Sequence, residues 1–152
     1  MAKAHVEEHI EYFTKLNGAI ALGQGKEWLN QFPTTPGVYC IFEGKQIIYC
    51  GETGSLNERM RDLLKTRKHT LRRQLGNTKF GGHRAYRAAS SSVKFPDDIE
   101  KLLTKFMLTH LKVKANPVTL GRKEIEEKII DRKHPKYNTK GRRGEFPDDT
   151  GL

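Results

Sequence analysis

Two tyrosines, one arginine and one glutamate are the side chains of this sequence best suited to chemistry on a phosphate ester. Tyr39 and Tyr49 stand ten residues apart in GVYCIFEGKQIIYCG, Arg59 follows ten residues later, and Glu126 lies in the patterned segment EIEEKIID. A guanidinium fork matches the non-bridging oxygens of phosphate better than an ammonium does. A carboxylate oxygen, completed by waters and phosphate, suits Mg²⁺, with Mn²⁺ as the alternative ion. A phenol, with an ordinary pKa near 10, can orient or deprotonate water at neutral pH only if nearby positive charge lowers it. Each residue also has a plainer reading: strand tyrosines commonly pack, and an inward glutamate commonly forms a salt bridge.

The elements around these residues decide whether they can meet. Residues 37–43 and 46–51 read as two strands of a hairpin, in which side chains alternate, so a one-residue change of register turns one tyrosine to the other face. A turn made by Gly44 and Lys45 alone puts Tyr39 and Tyr49 on opposite faces. A three-residue turn, Gly44 to Gln46, sets Ile41 opposite Tyr49, Tyr39 diagonal to Tyr49 on the same face, and Cys40 opposite Cys50. The longer loop is favoured because it gathers Val38, Cys40, Phe42, Ile48 and Cys50 on one apolar face. Ser55 followed by Glu58 is a capping box opening a helix. Leu56, Met60, Leu63 and Leu64 form its buried stripe, with Arg59 at the stripe's edge. In the last helix Ile125, Ile129 and Ile130 mark the buried side, which Glu126 shares, whereas Glu124 and Glu127 point to solvent.

GVY, YCG, the arginine ten residues on, and the closing EEKIIDRKHPKYN with its Glu126, Pro135, Tyr137 and Asn138 together resemble the GIY-YIG nuclease family over roughly residues 36–138. The resemblance implies a metal-dependent endonuclease that hydrolyses phosphodiester bonds in DNA. It implies Tyr39, Tyr49 and Arg59 as catalytic residues and Glu126 as the ligand of Mg²⁺. It also implies a histidine after the arginine-bearing helix, for which His69 is the candidate; the other reading is a surface histidine beside phosphate-binding arginines. Gly51 would permit close backbone approach or simply end a strand. Asn138 would be a support, a substrate contact or part of a helix C-terminal turn.

At 152 residues the chain suits one domain. The expected fold is α/β, a small, mainly antiparallel three-stranded sheet with strands near 37–43, 46–51 and 111–117, flanked by helices. Residues 1–35 read as a helical extension packed on the core, with Val6, Ile10, Phe13 and Leu16 on one face; residues 139–152 read as a polar, mobile tail. His5 and His9, at i and i+4, are exposed helix residues or a weak metal pair. A further strand is expected near Ala85–Ala89, and Ile99, Leu102, Leu103, Phe106 and Met107 form a core helix stripe. No run is apolar enough to span a membrane and no signal-peptide core is present, so a soluble cytoplasmic protein is expected. The two cysteines read as buried small hydrophobes.

The net charge of +10 points to a polyanionic partner. From Lys65 to Arg87 there are eight basic and no acidic residues. Lys68, Arg72 and Arg73, in a short helix expected over residues 68–76, are the candidate DNA contacts; a solvated basic face is the plainer reading. DNA is thus the expected partner of a monomer or homodimer. A non-catalytic nucleic-acid-binding domain is the second reading, though it gives no reason for two tyrosines, Arg59 and Glu126 to occur together.

Overall fold

The computed structural model describes residues 3–138; the expected tail at 139–152 lies outside them. In chain order the elements are α1 (Lys3–Thr14), β1 (Ile20–Ala21), α2 (Lys26–Leu29), β2 (Gly37–Glu43) and β3 (Gln46–Thr53). There follow α3 (Leu56–Asp62), α4 (Thr70–Phe80), α5 (Asp97–His110), β4 (Leu111–Pro117) and α6 (Arg122–Lys133). No helix among the described residues is long and apolar enough to cross a membrane.

Among the described residues the sheet has four antiparallel strands in the order β1-β4-β2-β3, one more than expected. The added strand, Ile20–Ala21, pairs with Val113 and Lys112. Two residues are too few to show an alternating pattern; they become a strand only because the edge of β4 offers unpaired peptide groups. The strand expected near Ala85–Ala89 does not form, and residues 81–96 run through turns instead. There α4 extends to Phe80 with Gly76 inside it, where the Phe95 ring packs so close that a Cβ would meet Phe95 Cζ at 2.3 Å.

The hairpin reaches the expected pairing by another route. Gly44 and Lys45 make a two-residue turn with Gly44 at φ 62°, and Glu43 pairs with Gln46 and Phe42 with Ile47. A bulge between Ile41 and Phe42 then restores Ile41 opposite Tyr49, Cys40 opposite Cys50 and Tyr39 opposite Gly51. An extra residue shifts the register by one whether it sits in the loop or in the strand, so Tyr39 and Tyr49 share a face after all. The bulge also exchanges two isoleucines. Ile47, not Ile48, joins Val38, Cys40, Phe42 and Cys50, while Ile48 packs with Tyr39 and Ile41.

Each face of the sheet carries its own apolar layer. Val6, Ile10 and Phe13 of α1 and Ile125, Ile129 and Ile130 of α6 cover the cysteine face. Leu56 and Met60 of α3, Leu71 and Leu75 of α4, and Ile99, Leu103 and Met107 of α5 cover the tyrosine face. Each such buried side chain contributes about 1.5–3 kcal/mol. α1 thus packs on the cysteine face, against β2 and α6. His5 and His9 lie outside that contact, their Nε2 atoms 3.1 Å apart.

Candidate active site

The side chains of interest converge at the outer edge of β3. Tyr39, Tyr49 and Arg59 arrive from the tyrosine face, and Glu126 arrives on α6 from the other. They line one cleft together with Gly51, Glu52, Thr70, Lys123, Glu127, Ile130, Tyr137 and Asn138. Its volume, about 370 Å³, corresponds to roughly ten waters, enough for a phosphate and a hydrated cation.

The two phenol rings lie 6.1 Å apart between centroids. Tyr39 is 1% exposed and lies across Gly51. A Cβ at position 51 would stand 2.6 Å from the Tyr39 hydroxyl, so close approach is the reason for glycine there. Ser55 caps α3 by accepting from the Glu58 N–H at 3.3 Å, which sets the helix that carries Arg59. The Arg59 Nε–H donates to Tyr39 Oη at 3.3 Å and Nη1–H to the Lys68 carbonyl at 3.1 Å; Asp62 lies 3.8 Å away.

His69 is fully buried behind Tyr39, not on the surface. It caps α4, its Nδ1 accepting from the Leu71 N–H at 3.1 Å. A neutral ring that accepts at Nδ1 carries its proton on Nε2, so His69 Nε2–H donates to Tyr39 Oη at 2.8 Å. Burial, then the charges of Arg59 and Arg73, hold its pKa well below the usual histidine value and keep the ring neutral. Tyr39 Oη thus accepts from His69 and Arg59, which leaves its own hydrogen to give.

Burial pushes the Tyr39 pKa well above 10, and the Tyr49 phenol beside it adds to the rise against Arg59. Tyr49 is partly exposed and is also raised, by burial first and then by Glu126. The Arg59 charge and hydrogen bonds from Tyr39 and Arg59 pull it down. His69 and Arg59 thus both donate to Tyr39, and the Tyr49 ring lies beside that phenol, 6.1 Å away between centroids.

Glu126 is half-buried, and its pKa is raised to about 7 by burial first and then by the charge of Glu52. Lys123 and the Glu52 N–H offset this only in part, while Glu127 adds to it. Glu52 itself accepts from Arg122 Nε at 3.0 Å. A carboxylate held this high, beside a second carboxylate, has room for a cation.

Asn138 supports β3. Its Oδ1 accepts from the Cys50 N–H at 2.7 Å and its Nδ2 donates to the Cys50 carbonyl at 2.8 Å; the Tyr137 N–H donates to the Ile48 carbonyl at 3.0 Å. β3 is an edge strand, and PKYN satisfies the peptide groups that a missing neighbour would have taken. The residue pinned in this way, Cys50, lies between Tyr49 and Gly51.

Of the expected DNA contacts, Lys68 is exposed and Arg73 half-exposed. Arg73 donates to the Thr66 carbonyl at 2.9 Å and to Thr70 Oγ1 at 3.3 Å. Arg72 is not on the surface. It is 1% exposed and donates to Thr66 Oγ1 at 3.0 Å, Glu100 Oε1 at 2.8 Å and Thr104 Oγ1 at 2.9 Å. It follows Leu71 on the face of α4 that meets α5, where a buried cation persists only by pairing. Sequence reasoning assigned no role to Glu52, Lys123 or Tyr137. Lys123, three residues before Glu126 on one helix, was the readable signal.

A family model described as the GIY-YIG catalytic domain matches residues 29–147. Among solved structures, the chain is similar to the GIY-YIG N-terminal endonuclease domain of UvrC from Thermotoga maritima bound to magnesium, its catalytic divalent cation. The two are 19% identical with a TM-score of 0.42, over 75% of this chain and 99% of that one. A point mutant of that domain gives 18% identity and 0.42, over 75% of this chain and 98% of that one. No curated protein matches. The family match covers more than three quarters of the sequence, from before the first tyrosine strand to beyond Asn138, and on it the chain belongs to the GIY-YIG catalytic domain family.

Proposed function

We propose that this chain is a metal-dependent endonuclease that hydrolyses phosphodiester bonds in DNA. The observation that carries the reading is the meeting of two phenols, a guanidinium and an elevated carboxylate in one cleft. Among the described residues no group of three or more His, Cys, Asp or Glu could hold a metal ion. Glu126, with Glu52 near it in the cleft, offers hard carboxylate oxygen to an ion that keeps most of its own waters, as Mg²⁺ does, with Mn²⁺ as a substitute. Glu126 would hold it, and the ion would supply stabilisation of charge on the scissile phosphate and on the departing oxygen.

The chain's own residues divide the remaining work. Arg59 binds the non-bridging phosphate oxygens, with its Nε already braced on Tyr39. Tyr49, the more exposed phenol, touches the attacking water and takes its proton. For that it must ionise; burial raises its pKa and the Arg59 charge offsets this only in part, so the positive charge of the bound cation would have to supply the rest. His69 positions Tyr39 from behind and does not touch substrate. Lys68 and Arg73, beside the cleft, neutralise flanking phosphates, and the wider run from Lys65 to Arg87 extends that surface.

The test is plasmid nicking with Mg²⁺ or Mn²⁺ beside a binding titration. Glu126→Ala should lose at least about 10²-fold in cleavage while binding DNA as well as the parent or better, because a negative charge beside phosphate is gone. Full cleavage by Glu126→Ala would end the metal assignment. Failure of the parent to cleave duplex, flap, junction and single-stranded DNA with either ion would turn the reading to a nucleic-acid-binding domain.

A further inference from the structure

A third phenol in the cleft has no assigned role. Tyr137 is 5% exposed and lines the same cleft as Glu126, Tyr49 and Asn138, yet its hydroxyl is buried with no hydrogen-bond partner among the described residues. The residue is held in place: its N–H is tied to the Ile48 carbonyl at 3.0 Å, and Lys136 Nζ lies over the ring, 5.4 Å from its centroid. Buried hydroxyls are nearly always paired, because an unpaired one forfeits the bonds it made to water. The exception here lines the same cleft as Glu126, the carboxylate that stands near a second one, Glu52.

We propose that the Tyr137 hydroxyl is a hydrogen-bond partner for a water in the hydration shell of the divalent cation held by Glu126. The inference rests on the metal reading above and names a further positioning residue within it. A hydroxyl this enclosed is out of reach of a phosphodiester but can meet a single water. Mg²⁺ and Mn²⁺ bound through one carboxylate keep most of their waters, and those waters need acceptors and donors around them.

Tyr137→Phe deletes the hydroxyl and keeps the ring, so the test reads metal binding without DNA. In metal-free buffer the variant should melt at the parent's temperature or up to about 3 °C higher, since an unpaired buried group is removed. Mn²⁺ titrated into the full chain, followed by calorimetry or by the electron paramagnetic resonance of the free ion, should bind about tenfold more weakly to Tyr137→Phe than to the parent. Glu126→Gln is the control. If Glu126→Gln loses Mn²⁺ binding but Tyr137→Phe binds as the parent does, the Tyr137 role is wrong and the metal site stands. If Glu126→Gln binds Mn²⁺ like the parent, the metal reading itself is wrong. A metal-free Tyr137→Phe that melts well below the parent would mean that the hydroxyl has a partner inside the fold, which also overturns the inference.

Discussion

Glu100 and Glu126 are both partly buried helix glutamates, and their surroundings drive them in opposite directions. Burial alone would raise Glu100, but hydrogen bonds from Arg72, Thr66 and the Phe95 N–H hold its pKa below the usual carboxylate value. Those contacts join α4 to α5 and use the charge completely. At Glu126 burial and Glu52 outweigh Lys123, and the pKa climbs to about 7. The first glutamate has its cation built in; the second stands in a cleft with a charge that the fold does not balance. The same contrast separates the arginines, since Arg72 spends its donors on Thr66, Glu100 and Thr104, whereas Arg59 braces a phenol at the cleft wall. The difference between a structural and a chemical charged residue here is whether the protein itself completes the pairing.

The largest effect should come from breaking the closed pair. Arg72→Ala empties a buried site and leaves the partly buried Glu100 carboxylate without its cation, and urea unfolding should show a loss of about 3 kcal/mol, against little loss or a slight gain for Glu126→Gln. If Arg72→Ala kept its stability and instead weakened DNA binding, Arg72 would be a phosphate contact and the contrast would be false.

A smaller effect is expected from pH. Between the usual 4.5 and about 7 the folded protein keeps the Glu126 proton and the unfolded chain does not. The metal-free stability from this group is therefore fully present below 4.5 and declines as pH rises through that window, then levels off. Glu100 has the opposite sign: its contribution is present above 4.5 and is lost as pH falls through its lowered folded value. Melting temperature against pH should show a falling segment between 4.5 and 7 that disappears in Glu126→Gln. A profile identical in both proteins would place the Glu126 titration elsewhere.

The smallest effect sharpens the surface side of the comparison. Lys68→Ala and Arg73→Ala should each reduce the slope of log affinity for DNA against log salt by about one, with cleavage per bound complex little changed. An unchanged slope in both would remove them from the DNA-binding surface.

Much of the site was readable before folding because it rests on short-range order. The Ser55 cap, the stripe of α3 and the inward side of α6 follow from helical periodicity, which links residues three and four apart. The hairpin pairing at Tyr39 and Tyr49 was legible too, but by way of a loop that does not exist; apolar patterning counts one extra residue without saying whether a turn or a bulge absorbs it. The family resemblance was carried by the motif residues themselves, Gly37 to Tyr39, Tyr49 to Gly51 and Pro135 to Asn138.

What tertiary structure alone decided is what each polar group meets. Arg72, Arg73 and Lys68 are alike in type and near in sequence, and only the approach of α5 buries the first against Glu100. His69 becomes a donor to Tyr39 because it caps α4 with its other nitrogen. β1 exists because β4 has a free edge, and Asn138 binds Cys50 because β3 has one. Sequence by itself determined which residues lie on which side of their own helix or strand, since that depends on backbone repeat. Tertiary structure decided which charges and peptide groups are paired, since that depends on neighbours separated along the chain by up to 125 residues among the described residues.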